Sequence, residues 1–332
     1  MYKFKIFESL TDECSKIWEQ FEKDSFHNFF QNYDFIKELI SKKDSSIKIV
    51  IIYSEGRVIA ILPLEIKKYF IFKVLQWIGT GRSDFCNPLI SKNEKLKLNE
   101  HKFLETWKEI LNQIDGFDLI FFNNQPSVIE KINNPFIKLT NKIPFSKVYQ
   151  IKLPDNFNTY KIDIKNDNKK HHYEIHRTLI KLSNLTETSE VAFDVDNTFK
   201  NEFKFCEIIK KKIDQLNYKK IKNNLNKDFI NVYEKLVKFD KKLFLIFNLK
   251  IDRKTISSCF GILYKDIFYY YVPMIISRDF EKYKPGKILI IKIIEWCIEK
   301  KIKIFDFGLG HEHYKKYFSN FSIPIYRYFN YV

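Results

Sequence analysis

The chain has 332 residues, 45% hydrophobic and 17% aromatic, with 57 Lys and Arg against 41 Asp and Glu and a formal charge of +16. That length gives room for two ordinary domains, and that apolar content excludes a disordered chain. No apolar run reaches the roughly 18–20 residues of a bilayer span, and the start MYKFKIFESLTDE has no signal-peptide block, so a cytoplasmic protein is expected. Five scattered cysteines (Cys14, Cys86, Cys206, Cys259, Cys297) form no Cys-x-x-Cys pair. They read as reduced, mostly buried thiols rather than a disulfide frame or a zinc site. The positive excess is mostly Lys, in a chain also rich in Ile, Asn, Phe and Tyr. It reads as a solvated Lys surface, with attraction of anionic substrates such as nucleotide sugars or CoA phosphates as the alternative, and nucleic acid is not expected.

In chain order, Tyr2–Glu8 reads as a strand and Thr11–Lys23 and Tyr33–Lys42 as helices. Ile47–Ser54 and Val58–Ile66 form a hairpin about Glu55-Gly56-Arg57, with Val74–Ile78 as a third strand. A long helix Glu94–Ile114, a strand Asp118–Phe122, a short helix Pro126–Ile132 and a strand Lys147–Leu153 follow. Residues 167–185 read as a basic connecting helix. The second half then begins with a strand, Val191–Val195, and helices Thr198–Leu216 (capped by Asn197 or Thr198) and Asp228–Lys238. Three tightly joined strands come next, Leu243–Ile251, Thr255–Leu263 and Ile267–Pro273. The helix Lys287–Lys301, the strand Lys303–Phe307, a helix Glu312–Phe318 and a last strand Ile323–Tyr331 close the chain. Both halves thus show one element order, which sets the expected domains at 1–153 and 154–332.

The most informative unit is Asp266–Lys316: an aromatic strand, the loop Lys284-Pro285-Gly286-Lys287, a nearly all-apolar helix and a short strand. A helix N-terminus offers unpaired N–H groups to a pyrophosphate, and Gly286 admits it without a Cβ in the way. Lys284 and Lys287 flank the turn. In the first half the matching position holds Gly79 through Pro88, without a clean Gly-to-helix junction.

This element order resembles that of the GNAT acyltransferases, and the whole chain resembles the BioF2-like or CelD-like acetyltransferases, relatives of the Fem-type tandem-GNAT peptidyltransferases. The residues that carry the likeness are Phe29-Phe30-Gln31, Leu62-Pro63-Leu64, Gly79–Pro88 with Ser83-Asp84, Tyr271–Pro273, Tyr283–Gly286, Phe305–Gly310, Glu312 and Tyr314-Lys315. The resemblance implies an α/β fold of two tandem GNAT-like domains with mixed sheets. It implies acyl-CoA, acetyl-CoA above all, as co-substrate of the second domain, and a first domain that has lost its cofactor and forms the acceptor-side wall. The implied acceptor is an amine on an amino sugar or a nucleotide-linked envelope precursor. Aminoacyl-tRNA is the alternative donor, disfavoured because 167–185 is short for the helical arm of the Fem-type enzymes. A non-catalytic scaffold is a third reading.

For the chemistry, the backbone of Tyr271 and Val272 would hold the thioester carbonyl, and Tyr314 would protonate the leaving thiolate. Lys315 would steady the oxyanion or a phosphate. Asp306, between two phenylalanines, and Asp84 are the rival bases, because burial raises a carboxyl pKa toward useful values. Arg82 would grip a phosphate or carboxylate, with Glu312 as a further substrate-binding carboxylate. His172 and His176 are four residues apart, but His-Tyr-Glu-Ile-His is not a zinc-protease motif, and no metal is expected.

Overall fold

Apolar alternation in the first half builds a run of six neighbouring sheet strands. Its order is β1 (Lys3–Phe7), β2 (Ser45–Ser54), β3 (Arg57–Tyr69), β4 (Phe72–Trp77), β5 (Leu119–Pro126) and β12 (Phe321–Tyr331). Neighbours are antiparallel except β4 and β5, which pair in parallel at Val74↔Leu119 and Leu75↔Ile120 and then part. Helix α1 (Asp12–Lys23) starts at Thr11, whose hydroxyl accepts from the Cys14 N–H. Helices α2 (Tyr33–Ile40) and α3 (Glu100–Gln113) complete the element set. The core is aromatic, with Trp77, Trp107, Phe103 and Phe122 around the ring of Phe136 at 5.1–5.4 Å.

The second half repeats this sheet. Its order is β7 (Val191–Asp196), β8 (Phe244–Ile251), β9 (Lys254–Tyr264), β10 (Ile267–Ile275), β11 (Ile304–Leu309) and β6 (Lys142–Lys152). Again all neighbours are antiparallel except the fourth and fifth, β10 and β11. Its helices are α4 (Phe157–Asp167), α5 (Lys169–Thr186), α6 (Lys227–Phe239), α7 (Pro285–Glu299) and α8 (His313–Phe318). Helix α7 is buried along most of its circumference, from Ile288 to Ile298, and its Lys292 and Glu295 pair with each other at 2.9 Å. This all-round apolarity suits a helix laid across a sheet.

The structure is a computed structural model and describes residues 1–40, 45–93, 98–167, 169–187, 189–196, 207, 209–214, 227–239, 241–277 and 279–331. The expected helix ends at residues 41–42 and 94–97, the cap at Asn197 or Thr198, and Cys206 lie outside the described residues; residues 209–214 are helical.

Three expectations change. Pro126–Ile132 is not helical: Val128–Ile129 and Ile132–Asn133 form a tight hairpin with Glu130 at φ 52°, pinned by Asn134, whose amide donates to the Pro126 carbonyl at 3.0 Å. Helix α5 is more than a connector, because Ile175 and Leu185 belong to the second core. The chain divides into residues 1–147 with 323–332, and 148–322, rather than after Leu153. The last strand returns to the first unit because β5 would otherwise leave a bare edge; Ile325–Tyr331 pairs along it from Pro126 to Leu119.

Candidate active site

In the second unit, β10 and β11 stay paired only from Ile267↔Ile304 to Tyr269↔Asp306. Just beyond, β10 bulges against β9: Gly261 faces Tyr270 and Phe260 faces Val272, leaving Tyr271 as the extra residue. Glycine is needed at 261, since a Cβ there would lie inside 3.0 Å of the Phe268 ring. Past the bulge, β10 and the start of α7 border a cleft of about 560 Å³. Tyr270, Pro273, Met274 and Ile275 of β10 line it, with Ser257, Ile290 and Tyr314 and, at the helix end, Lys284 to Lys287.

The mouth is cationic. Lys284 caps α7 in the left-handed region (φ 55°, ψ 58°) without a side-chain cap, and Pro285 fills the first helical position. The N–H groups of Lys287 and Ile288 fold back to the Lys284 carbonyl at 2.9 and 3.3 Å. Gly286 is open, since a Cβ there would meet only Ile275, at 3.8 Å. The ammonium of Lys287 pairs with Glu174 at 2.6 Å. That hydrogen bond leads the causes that hold the Glu174 carboxyl below its ordinary value, with burial opposing. Burial first, then Lys284 and Arg177, push the Lys181 ammonium below its ordinary value. Arg177, Lys181, Lys284 and Lys287 thus gather at one helix N-terminus with two carboxylates, Glu174 and the cleft-lining Glu281, and an anion there relieves the repulsion among the cations. Lys212 donates to the Pro273 carbonyl at 2.6 Å and lines the same cleft.

At the deep end, the Tyr314 ring meets Phe307 edge-on at 6.2 Å. Burial, then the Glu312 charge, push its hydroxyl well above the ordinary phenol range, so it keeps its proton at any neutral pH. Tyr270 is raised the same way, chiefly by burial.

The structure redistributes the expected roles. Tyr271 and Val272 do not line the cleft. Burial raises the Cys259 thiol well above its ordinary value, and the Lys212 charge and the neighbouring Tyr271 and Val272 backbone oppose that rise. Asp306 is fully buried. One of its oxygens accepts from the Gln150 amide and the other from the Gly308 N–H, both at 2.6 Å. It braces the end of β11 and does not line the cleft. Lys315 is also buried. Its ammonium lies 3.0 Å from Glu312 and donates to the Leu309 carbonyl at 2.9 Å, so it ties the Gly308–Glu312 turn together. Gly310, at φ 147°, makes room for that tie, because a Cβ would run into Glu312 and Lys315. The Glu312 side chain is 56% exposed.

In the first unit the parting of β4 and β5 carries the loop of Arg82 and Asp84. Two glycines at positive φ (Gly79, Gly81) turn it, and the Gly79 carbonyl accepts from the N–H groups of Arg82 and Ser83. The loop is stitched down to β5: Cys86 N–H donates to the Asn124 carbonyl at 2.9 Å, and the Asn124 amide donates to the Ser83 carbonyl at 2.9 Å. It continues to a short strand, Leu89–Ser91, on β3. The α3 N-terminus lies further on and is capped by Asn99, which accepts from the Lys102 N–H at 3.0 Å. Among the described residues, no helix end without a side-chain cap follows β4, unlike β10.

His172 and His176 stack at 6.3 Å, and among the described residues no group of three His, Cys, Asp or Glu is placed to hold a metal ion. Cys14, Cys86, Cys259 and Cys297 are free and buried. No helix among the described residues is long and apolar enough to cross a membrane. Residues not foreseen at the cleft are Tyr270, Ser257, Lys212, Arg177 and Lys181. Alternation along Tyr269-Tyr270-Tyr271 could have flagged Tyr270, the one facing α7.

A sheet whose fourth and fifth strands run parallel and then part is the architecture of the GNAT acyltransferases, and this chain contains it twice. Residues 170–316 match the family model described as acetyltransferase (GNAT) domain. No curated protein sequence matches the chain. Among solved structures, FemX superposes with a TM-score of 0.59 at 9% identity, covering 96% of each chain. L-PGS from Bacillus licheniformis gives 0.55 at 13% identity, covering 97% of this chain and 93% of that one. A tandem GNAT protein from the clavulanic acid biosynthesis pathway gives 0.50 at 7%, covering 98% of each. The chain is therefore related to the Fem-type, tandem-GNAT proteins, a relation that at these identities is one of fold.

Proposed function

We propose that this protein is an N-acyltransferase that moves an acyl group, acetyl above all, from acyl-CoA to the amine of an amino sugar or related envelope precursor. The observation that carries the reading is the cleft bordered by β10 and the cation-rich N-terminus of α7, which has no side-chain cap. The residues fit the donor's chemistry. Gly286 leaves the backbone approachable, and Lys181, Lys284, Lys287 and Arg177 match the charge of a pyrophosphate. The apolar walls of Met274, Ile275 and Ile290 suit a pantetheine-like arm.

Within this reading the acceptor amine attacks the thioester carbonyl and the C–S bond breaks. The sulfur takes the Tyr314 proton, and the amine gives up one of its own. Glu312 is the exposed carboxylate of this unit beside Tyr314, and it is assigned to take that proton. Lys315 positions the turn bearing both. Lys212 places a positive charge at the cleft edge, where negative charge develops on oxygen and sulfur.

Calorimetric titration with CoA and acetyl-CoA tests the donor. The wild type is expected to bind both, and Gly286→Val to bind at least about tenfold more weakly with its fold intact. Absence of CoA binding, or unchanged affinity in G286V, would refute the reading. The basic face of α5 favours a second one, an aminoacyl-tRNA donor: Arg177 and Lys181 sit on it beside Lys284. Binding of charged tRNA that weakens steeply with salt, without CoA binding, would select that alternative.

A further inference from the structure

We propose that the tip of the β3–β4 hairpin is a membrane-docking wedge that seats the protein on an anionic phospholipid surface. Four consecutive apolar residues stand in solvent there: Tyr69 at 39% exposure, Phe70 at 97%, Ile71 at 81% and Phe72 at 46%. Tyr69 and Phe72 form the last pair of the ladder, so Phe70 and Ile71 are the entire turn. Phe70 sits at φ 53°, a position where hairpins favour glycine or asparagine. Folding gains nothing from an exposed phenylalanine in a strained position, so the choice answers to something outside the fold.

The residues beneath the tip say what that is. Lys68 lies directly across the ladder from Lys73, and both are exposed. Like charges in that register destabilise a hairpin. Lys67 adds a third cation, with its ammonium 5.4 Å from the Tyr69 ring. The acids within the hairpin's own hydrogen bonds are Asp118, which accepts from the Lys73 backbone N–H at 2.6 Å, and Glu65, buried and held by the Gln76 amide at 2.9 Å. An apolar groove on a protein would accommodate Phe70 and Ile71 but leave the Lys68–Lys73 repulsion unexplained. An anionic bilayer answers both. The tip enters the acyl boundary, the tyrosine lies at the interface, and the lysine collar meets the phosphate layer. This inference stands whether or not the chain transfers acyl groups.

The test is flotation of the full chain with phosphatidylcholine vesicles made with and without phosphatidylglycerol. The decisive variant is Phe70→Gly with Ile71→Ser. It supplies residues a two-residue turn prefers and is expected to keep or raise the melting temperature. The wild type is expected to float with the anionic vesicles, and F70G/I71S to bind them about tenfold or more less tightly. Lys68→Glu with Lys73→Glu is expected to lose on the order of twentyfold on anionic vesicles and little on neutral ones, at about fivefold per lysine before reversal of sign. If F70G/I71S floats like the wild type, attachment is by general surface charge and the wedge is refuted. If the wild type does not float at low salt, the wedge is refuted too, and a protein groove becomes the occupant of the tip.

Discussion

Replacing Gly261 by alanine should break the cleft from a position that never touches a ligand. The added Cβ would lie inside 3.0 Å of the Cζ and Cε2 atoms of Phe268 and 3.4 Å from the Tyr269 carbonyl oxygen. Carbon atoms pack at roughly 3.5–4.0 Å, so the ring has to retreat by about an ångström. It has nowhere to go: Phe268 is fully buried, with Phe247 at 5.2 Å and Phe305 at 5.3 Å. Overpacking of this kind costs about 1–3 kcal/mol, and a boxed ring places G261A at the upper end. For a unit of this size, about 3 kcal/mol lowers the melting temperature by roughly 6–12 °C. Gly261 faces Tyr270, beside the bulge, so the cost should also appear as weakened CoA binding. Phe268→Leu removes the obstacle at its own cavity cost. The double variant should therefore be less destabilised than the sum of the singles by about 1 kcal/mol or more. Additive losses, or a G261A protein as stable as the wild type, would show that the bulge does not depend on this close approach.

Tyr314→Phe keeps the ring against Phe307 and removes only the proton; kcat should fall about 10²–10⁴-fold with CoA affinity nearly unchanged, and a donor with a more acidic thiol should recover much of the loss. Since burial raises the Tyr314 pKa, the residue contributes no limb to the neutral pH–rate profile. Glu174→Gln frees Lys287 and should tighten CoA binding roughly fivefold, at a stability cost within about 1 kcal/mol. The Glu174 carboxyl is lowered from 4.5 in the folded protein, so the pair's stabilisation is complete above that pH and fades as pH falls through the lowered value. The stability gap between wild type and E174Q must therefore shrink only in acid, and a gap that grows there would contradict the pairing. Asp306→Asn, with the Gln150 amide flipped, should retain turnover, whereas Asp306→Ala should cost about 2–4 kcal/mol by stranding two donors; a large loss of kcat in a stable D306N protein would restore Asp306 as a base.

Much of the fold can be read from the sequence because it is written in local pattern. The three tight hairpin strands from Phe244 to Ile275, the apolar α7 and the Lys284–Lys287 turn all carry their signal within a few residues of themselves. What stays hidden depends on partners far along the chain. Asp306 looks like a desolvated base until Gln150 is brought to it by β6, 156 residues upstream. The bulge that moves Tyr271 out of the cleft and Tyr270 into it is a property of the β9–β10 register, which no single strand specifies. Lys315 reads as a cation for the oxyanion or a phosphate, but Gly310 and Glu312 draw it inside to tie the turn. Pro126–Ile132 reads as a helix because the Glu130 turn requires a positive φ without a glycine to announce it.

The two units start from one sheet and reach opposite ends. In each, the fourth and fifth strands separate, and the gap must be filled, since strand edges left bare in an interior carry unsatisfied N–H and C=O groups. The first unit fills it with its own chain: Gly79 and Gly81 turn the loop back, Cys86 and Asn124 hydrogen-bond it to β5, and the next helix starts late under its own cap at Asn99. The second unit reaches α7 soon after β10, through a turn at Glu281–Tyr283, and the helix end is uncapped by any side chain. The end without a side-chain cap, the gathered cations and the apolar walls lie together at the start of α7. All three are complemented by an anionic head on a slender apolar arm, and that convergence supports the proposal that the acyl donor binds the second unit.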